Sequence, residues 1–179
     1  MIGDAEEVLS THQSVKKDLP QQTAFIEHLK PQVSLNFLGA GNDAIPLVQF
    51  GSTMGWEVNV FDGRPNYANS QRFPEVNRVV VAKPEQVLPQ IQLDEHVVFV
   101  LMTHNYNYDL AMLRQLLPLE LTYVGVLGPK SKLNRMLDEL KAEGLPISEA
   151  DMEKVYGPVG LDIGAATSEE IALSIMAEI

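Results

Sequence analysis

VSLNFLGAGNDAIPLVQFGSTMGWEVNVFD, residues 33–62, carries a strand, a glycine turn, a helix and a second strand in thirty residues. An apolar run at 33–38 has the length of one buried strand. A G-x-G-x-x-A turn follows it: Gly39, Ala40, Gly41, Asn42, Asp43 and Ala44. A helix-length segment then runs to Gly55, and a second apolar strand at 56–61 ends on Asp62. The acid falls about 20 residues after the glycines, the interval of a βαβ dinucleotide-binding unit. In such a unit the first glycine allows the tight turn, the second lets backbone approach a pyrophosphate, and a small third residue lets helix pack on strand. Gly39, Gly41 and Ala44 stand in those places. A helix start offers unpaired N–H groups and partial positive charge to phosphate, so Asn42 and Asp43 border the expected anion site. Asp62 is placed to accept both ribose hydroxyls. The competing reading is an ordinary α/β connection with Asp62 as a strand-end turn residue. Pro46 falls around the fourth helical position, near the limit where a missing N–H costs little.

The bulk numbers narrow the function classes. With 179 residues the chain suggests one domain with a proper core. Its net charge of −11 and pI near 4.7 argue against a nucleic-acid binder, which needs cationic neutralisation of phosphates. No apolar run approaches the roughly 18 residues of a membrane span, and the acidic start MIGDAEEVLS has no signal core, so a cytoplasmic protein is expected. Zero cysteines exclude disulfides, thiolate metal sites, a cysteine nucleophile and a role as covalent sulfur carrier. No metal site and no catalytic set are assigned.

Residues 1–31 are polar, with weak helical periodicity at 7–15 and again around Phe25, Ile26 and Leu29, punctuated by Pro20 and Pro31. They read as a short helical extension ahead of a nucleotide- or cofactor-binding domain at 32–179. After Asp62, residues 63–74 form a loop rich in polar and aromatic residues, in the place where doubly wound folds bind ligands. Arg64 there is a candidate anion clamp or a solvated loop arginine. A third strand at 78–82, a short helix at 84–91 and a fully apolar fourth strand at 96–102 come next, as a parallel sheet covered on both faces requires.

The fourth strand ends in Thr103, His104 and Asn105, then a helix carrying Asp109. In a 3-2-1-4 strand order it lies across the switch point from the first strand, so Thr103, His104 and Asp109 should face the crevice that Gly39 and Gly41 border. Equally, Asn105 or Asn107 caps the helix and His104 is a satisfied loop histidine. The fifth strand, 121–127, leads through Gly128 into a helix that starts with Lys130, Lys132 and Arg135 and ends before Gly144, a good C-cap. Positive charge at a helix start opposes the helix dipole. In so acidic a chain, that local conflict points to a held anion, against the alternative of a solvated basic face. Finally, residues 158–166 form a glycine-spaced segment before a helix opened by a T-x-x-E capping box, Thr167 and Glu170. That helix shows no C-cap before Ile179, which carries the expectation of a shortened chain.

Together these pieces resemble one family, the XdhC/CoxF maturation factors, also called xanthine dehydrogenase accessory proteins. LGAGNDAIPLVQF, GWEVNVFDGRPNYANSQRFPE, MTHNYNYD, YVGVLGPKSK and GPVGLDIGAATSEEIALSIMAEI match its Rossmann domain in order, over residues 33–179. The last motif is the most specific. The resemblance implies an α/β, doubly wound, mostly parallel sheet and a role in loading the molybdenum cofactor (molybdopterin) into a molybdenum hydroxylase such as xanthine dehydrogenase. It also implies further partners, a cysteine desulfurase or a second copy of the chain as a homodimer. Two departures stand out. Full-length members carry an N-terminal domain that residues 1–31 are too short to hold, and Pro129 stands where the family often has Ser. The alternatives left open are an NAD(P)-dependent oxidoreductase and an NAD-sensing regulatory module. A dehydrogenase needs a substrate-holding domain and an acid/base partner, and only His104 and Asp109 offer proton chemistry near the crevice.

Overall fold

The computed structural model describes residues 2–19 and 22–179. The chain divides into two units, Met1–Pro31 and Gln32–Ile179. In the first, helix α1 (Ile2–Thr11) precedes strands β1 (Val15–Leu19) and β2 (Gln22–Ile26), which pair antiparallel with Val15 opposite Ile26. The helical expectation therefore holds for α1 but not for the periodicity read up to Val15 and around Phe25 and Ile26. Val15, Thr23, Phe25 and Ile26 are β-branched or aromatic and suit a pleated surface. Cross-strand contacts such as Thr23 Oγ1 donating to Asp18 at 2.8 Å are invisible to a one-dimensional pattern. Pro20, read as a break, lies outside the described residues.

The second unit is a six-stranded sheet: β3 (Ser34–Leu38), β4 (Glu57–Asp62), β5 (Arg78–Val81), β6 (Val97–Leu101), β7 (Tyr123–Val126) and β8 (Val155–Tyr156). Their spatial order is β5-β4-β3-β6-β7-β8, and every pairing is parallel. The first four strands of this domain thus take the expected 3-2-1-4 arrangement, the doubly wound order with its switch point between β3 and β6. The crossovers carry α2 (Ala44–Thr53), α3 (Tyr106–Leu116), α4 (Lys130–Ala142), the short α5 (Glu149–Glu153) and α6 (Ser168–Glu178).

Side chains of each strand alternate between two cores, as a period of two demands. In β6, Val97, Phe99 and Leu101 face one core with Met112, Leu113, Met136 and Leu140, from α3 and α4. Val98, Val100 and Met102 face the other, with Leu47 and Val48 of α2 and Ile175 of α6. Helix α2 lies close to the sheet at Gly51, where an added Cβ would come 2.8 Å from Val58 Cγ2. Ala44 is fully buried as well, so the close packing assigned to it is shared with Gly51, one face along the helix.

Three local readings hold and two features are new. Asn105 caps α3, its side chain accepting from Tyr108 N–H at 3.2 Å. Gly144, at φ +90°, ends α4 in the left-handed conformation, and Leu145 N–H returns to Leu140 C=O at 3.0 Å. Thr167 and Glu170 cap α6 reciprocally, at 3.2 Å and 2.9 Å. The short helix expected at 84–91 is instead two 3₁₀ turns, Pro84–Gln86 and Leu88–Gln90. Pro84 and Pro89 each lack an N–H, so no regular α-ladder runs through both. Helix α5 and strand β8 were not anticipated. The strand has two residues, too few for any periodicity, but α5 opens with a readable S-x-x-D box, Ser148 N–H donating to Asp151 at 2.8 Å.

Candidate functional site

The carboxyl ends of β3, β4 and β6 come together because the chain there leaves no room for side chains. Gly39 sits at φ +126°, and a Cβ on it would collide with the Met102 carbonyl, well short of van der Waals contact distance. Only glycine lets the end of β3 pass so close to the end of β6. Gly39 N–H donates to Phe61 C=O at 2.7 Å, and Met102 N–H to Leu38 C=O at 2.7 Å. A cleft of about 570 Å³ opens beside this junction, lined by Asp62, Arg64, Thr103, His104, Tyr106 and Tyr108 among others.

Asp62 is 2% exposed and fully engaged. Its Oδ2 accepts from Ala40 N–H at 2.8 Å and from an Arg64 terminal nitrogen at 2.7 Å. Its Oδ1 accepts from Arg64 N–H at 2.8 Å and Arg64 Nε at 2.9 Å. Burial alone would raise the Asp62 pKa, but the Arg64 fork and the two backbone N–H groups outweigh it and hold the carboxyl below the usual carboxylate range. The acid at the ribose position therefore ties the end of β4 to the glycine turn and to Arg64. A ribose diol reaches it only by displacing that fork.

His104 and Asp43 form a second pair. His104 is at φ +56°, a conformation that strains a non-glycine residue, and its Nε2 lies 2.6 Å from Asp43 Oδ2. An ionised carboxylate only accepts, so Nε2 carries the proton. Asp43 stands at the start of α2 without capping it through its side chain, and a Cβ on Gly41 would collide with its Oδ1. The chain's own carboxylate thus lies across the glycine turn.

A third pair is buried. Asp109, at 0% exposure, accepts from Lys132 Nζ at 2.7 Å and from the Thr103 hydroxyl at 2.6 Å. Lys132 Nζ also donates to Leu127 C=O at 2.9 Å, and its stem passes Gly128, where a Cβ would lie 3.0 Å from Lys132 Cδ. The basic trio at the start of α4 is accordingly split. Lys132 turns inward, whereas Lys130 and Arg135 are exposed, Arg135 lying 4.5 Å over the Tyr106 ring at the cleft wall.

Of the expected site residues, the fold gathers Gly39, Gly41, Asn42, Asp43, Asp62, Arg64, Thr103 and His104 at this edge, with Asp109, Lys132 and Gly128 in the layer behind and Lys130 at the surface. The sequence reading passed over Arg72. Its guanidinium donates to Ala40 C=O and to Asn42 Oδ1, both at 2.7 Å, and to Tyr67 C=O at 3.2 Å. It shares the face of Tyr67 with Arg64, at 5.1 Å and 4.0 Å from the ring centroid. Tyr108 was also passed over; its hydroxyl donates to Ala82 C=O at 2.8 Å, and burial pushes its pKa up. Nothing in a glycine-spaced motif signals a loop arginine that folds back onto it. Among the described residues, no helix is long and apolar enough to cross a membrane, and no cluster of three His, Asp or Glu suits a metal ion.

Comparison with known proteins converges on one family. The model of the XdhC Rossmann domain matches residues 35–179. A curated relative from Bacillus subtilis (strain 168), named as a probable xanthine dehydrogenase subunit, is 36% identical over 155 residues, 87% of this chain and 44% of the relative. "Uncharacterized protein YqeB" of Escherichia coli (strain K12) is 27% identical over 154 residues, 86% of this chain and 28% of its own length. The chain therefore spans less than half the length of the curated relatives it matches. Among solved structures, a crystal structure described as a xanthine dehydrogenase from Bacillus halodurans superposes with a TM-score of 0.73 at 34% identity, covering 87% of this chain and 43% of the other. With the family model spanning residues 35–179, this chain belongs to the XdhC family through its Rossmann domain.

Proposed function

We propose that this chain is an accessory factor of a xanthine dehydrogenase system, binding a phosphate-bearing cofactor at the switch-point cleft and passing it to a molybdenum hydroxylase. The observation that carries the reading is the switch-point cleft of an XdhC Rossmann domain, beside a glycine turn that admits no side chain at Gly39. Such a cradle fits the phosphate of the molybdenum cofactor, with the N–H groups opening α2 and the cations of the β4–β5 loop around it. When bound, that cofactor supplies the metal chemistry of the client enzyme. This chain contributes position and charge, and with no cysteine it offers the metal no thiolate. A role without turnover also suits Asp62, Asp43 and Asp109, which are bonded to Arg64, His104 and Lys132 rather than left as free bases. On this reading the protein works in the cytoplasm, where a desulfurase and a second copy of the chain are further candidate partners.

The test is reconstitution. The purified chain is mixed with isolated molybdenum cofactor, separated from free cofactor by gel filtration, and then added to apo-xanthine dehydrogenase. Retention of the cofactor and faster activation of the client are expected. Absence of both, together with reduction of bound NAD by an added alcohol or acid substrate, would move the protein to the oxidoreductase class.

A further inference from the structure

Around the cleft, Arg135 is exposed at the wall without a carboxylate partner among the described residues, and Arg72 lacks one too but is held in place by the glycine turn. Arg64 is paired with Asp62, His104 with Asp43, and Lys132 with Asp109. Arg72 lies at the same edge and is half-buried, but every acceptor it touches is neutral: two backbone carbonyls and the amide oxygen of Asn42. Among the described residues it has no carboxylate partner within ion-pair distance. A guanidinium oriented by neutral acceptors, partly out of water and without a counter-charge, keeps its full attraction for an anion. Its place is fixed by bonds to Ala40 and Asn42, two residues of the glycine turn that ends at the start of α2.

The adjoining groups sharpen the chemistry. Asp62, the usual ribose acceptor, already holds four hydrogen bonds, and no lone pair remains for a sugar diol without loss of the Arg64 fork. The edge therefore offers a guanidinium for phosphate, while the carboxylate at the ribose position has no acceptor left open.

We propose that Arg72 is the anion anchor of the cleft, and that the ligand is gripped by a phosphate group against Arg72 and the glycine turn rather than by a ribose diol on Asp62. The proposal rests on the reading of the cleft as a cofactor site and adds the group by which the cofactor is recognised. The phosphate monoester of a pterin cofactor and the phosphate of a nucleotide share this chemistry.

The experiment measures affinity by calorimetry for the parent, Arg72→Gln and Arg72→Lys, with molybdenum cofactor, NADP, AMP and adenosine as separate probes at two salt concentrations. Arg72→Lys keeps the charge but loses the planar fork to Ala40 and Asn42. Arg72→Gln loses the charge. Thermal unfolding of all three reports the structural cost alone. For the phosphate ligand that binds, Arg72→Gln is expected to weaken affinity about tenfold or more, the scale of one charged hydrogen bond. Arg72→Lys should weaken it by no more than about threefold, and the difference should shrink at high salt. Adenosine should bind at least about tenfold more weakly than AMP, because it lacks the phosphate and the diol the two share finds no acceptor on Asp62.

Equal losses in Arg72→Lys and Arg72→Gln, matched by equal losses of melting temperature, would make Arg72 a structural strut and overturn the proposal. So would unchanged binding in Arg72→Gln, or adenosine binding as well as AMP. Retention of molybdenum cofactor without dependence on Arg72 overturns this inference and leaves the accessory function standing. Arg72-dependent binding of NADP or AMP, with none of the molybdenum cofactor, sustains the anchor and overturns the cofactor assignment. A parent protein that binds no phosphate probe overturns both.

Discussion

Replacing Lys132 by Met tests the buried network behind the cleft. Lys132→Met keeps most of the stem that passes Gly128 and deletes the ammonium that donates to Asp109 at 2.7 Å and to Leu127 C=O at 2.9 Å. Asp109 is then a wholly enclosed carboxylate held only by the Thr103 hydroxyl and N–H. Breaking one side of a buried pair costs about 3–5 kcal/mol. The Lys132 side chain is 20% exposed, so water softens the loss and the lower end, about 3 kcal/mol, is expected. For a chain of this size that lowers Tm by about 6–12 °C. Urea unfolding should show a lower midpoint at unchanged m. The double variant Lys132→Met/Asp109→Leu should recover most of the loss, since well-packed apolar residues replace buried pairs at little cost. The Thr103 hydroxyl then turns to Asn105 C=O, 3.1 Å away. A single variant within about 1 kcal/mol of the parent, or a double variant as unstable as the single one, would refute the view of this pair as a desolvated unit.

Three further outcomes concern two glycines and the Asp62 carboxylate. Gly39→Ala should destabilise by roughly 3 kcal/mol or more, because its Cβ meets the Met102 backbone at φ +126°. Gly55→Ala, at φ +73° with open space around it, should cost only about 1–2 kcal/mol in the same urea titration. Asp62 gives a pH signature: its folded pKa lies below the unfolded value near 3.9. The stability it contributes is therefore present above about pH 4 and is lost as pH falls through the folded value. Asp62→Asn should flatten the acid limb of the stability curve below about pH 4, and an acid limb identical to the parent's would show that the Arg64 fork is not formed in solution.

Much of this was legible in the sequence because βαβ units write themselves at short range. The strand runs, the glycine turn, the acid at its interval and the T-x-x-E cap each depend on a few neighbouring residues, and each stands where its spacing put it. What the sequence hid is pairing across distance. Nothing local says that Arg64 closes on Asp62, that His104 reaches Asp43 across the switch point, or that Lys132 folds inward to Asp109 while Lys130 and Arg135 stay outside. The N-terminal hairpin escaped for the same reason: Val15 and Ile26 become neighbours only through cross-strand register. Arg72 escaped because its role comes from having neutral partners, which no motif encodes.

The packing of α2 against α6 has a consequence for the order of assembly. Ala44, Leu47 and Val48 of the helix that opens at the glycine turn share their core with Ala172, Ile175 and Met176, residues separated from them by almost the whole sheet-forming sequence. Contacts of such long separation must offset the entropy of closing a long loop before they stabilise anything, so they form late. The strands nearest the turn can pair before α6 arrives, but the apolar face of α2 stays uncovered until it does. Competence to hold a ligand is thereby coupled to docking of the most sequence-distant helix. Amide exchange of the first turn of α2 should follow the undocking of α6 rather than the opening of β3 and β4, which makes the anion end of the cleft a reporter of complete folding.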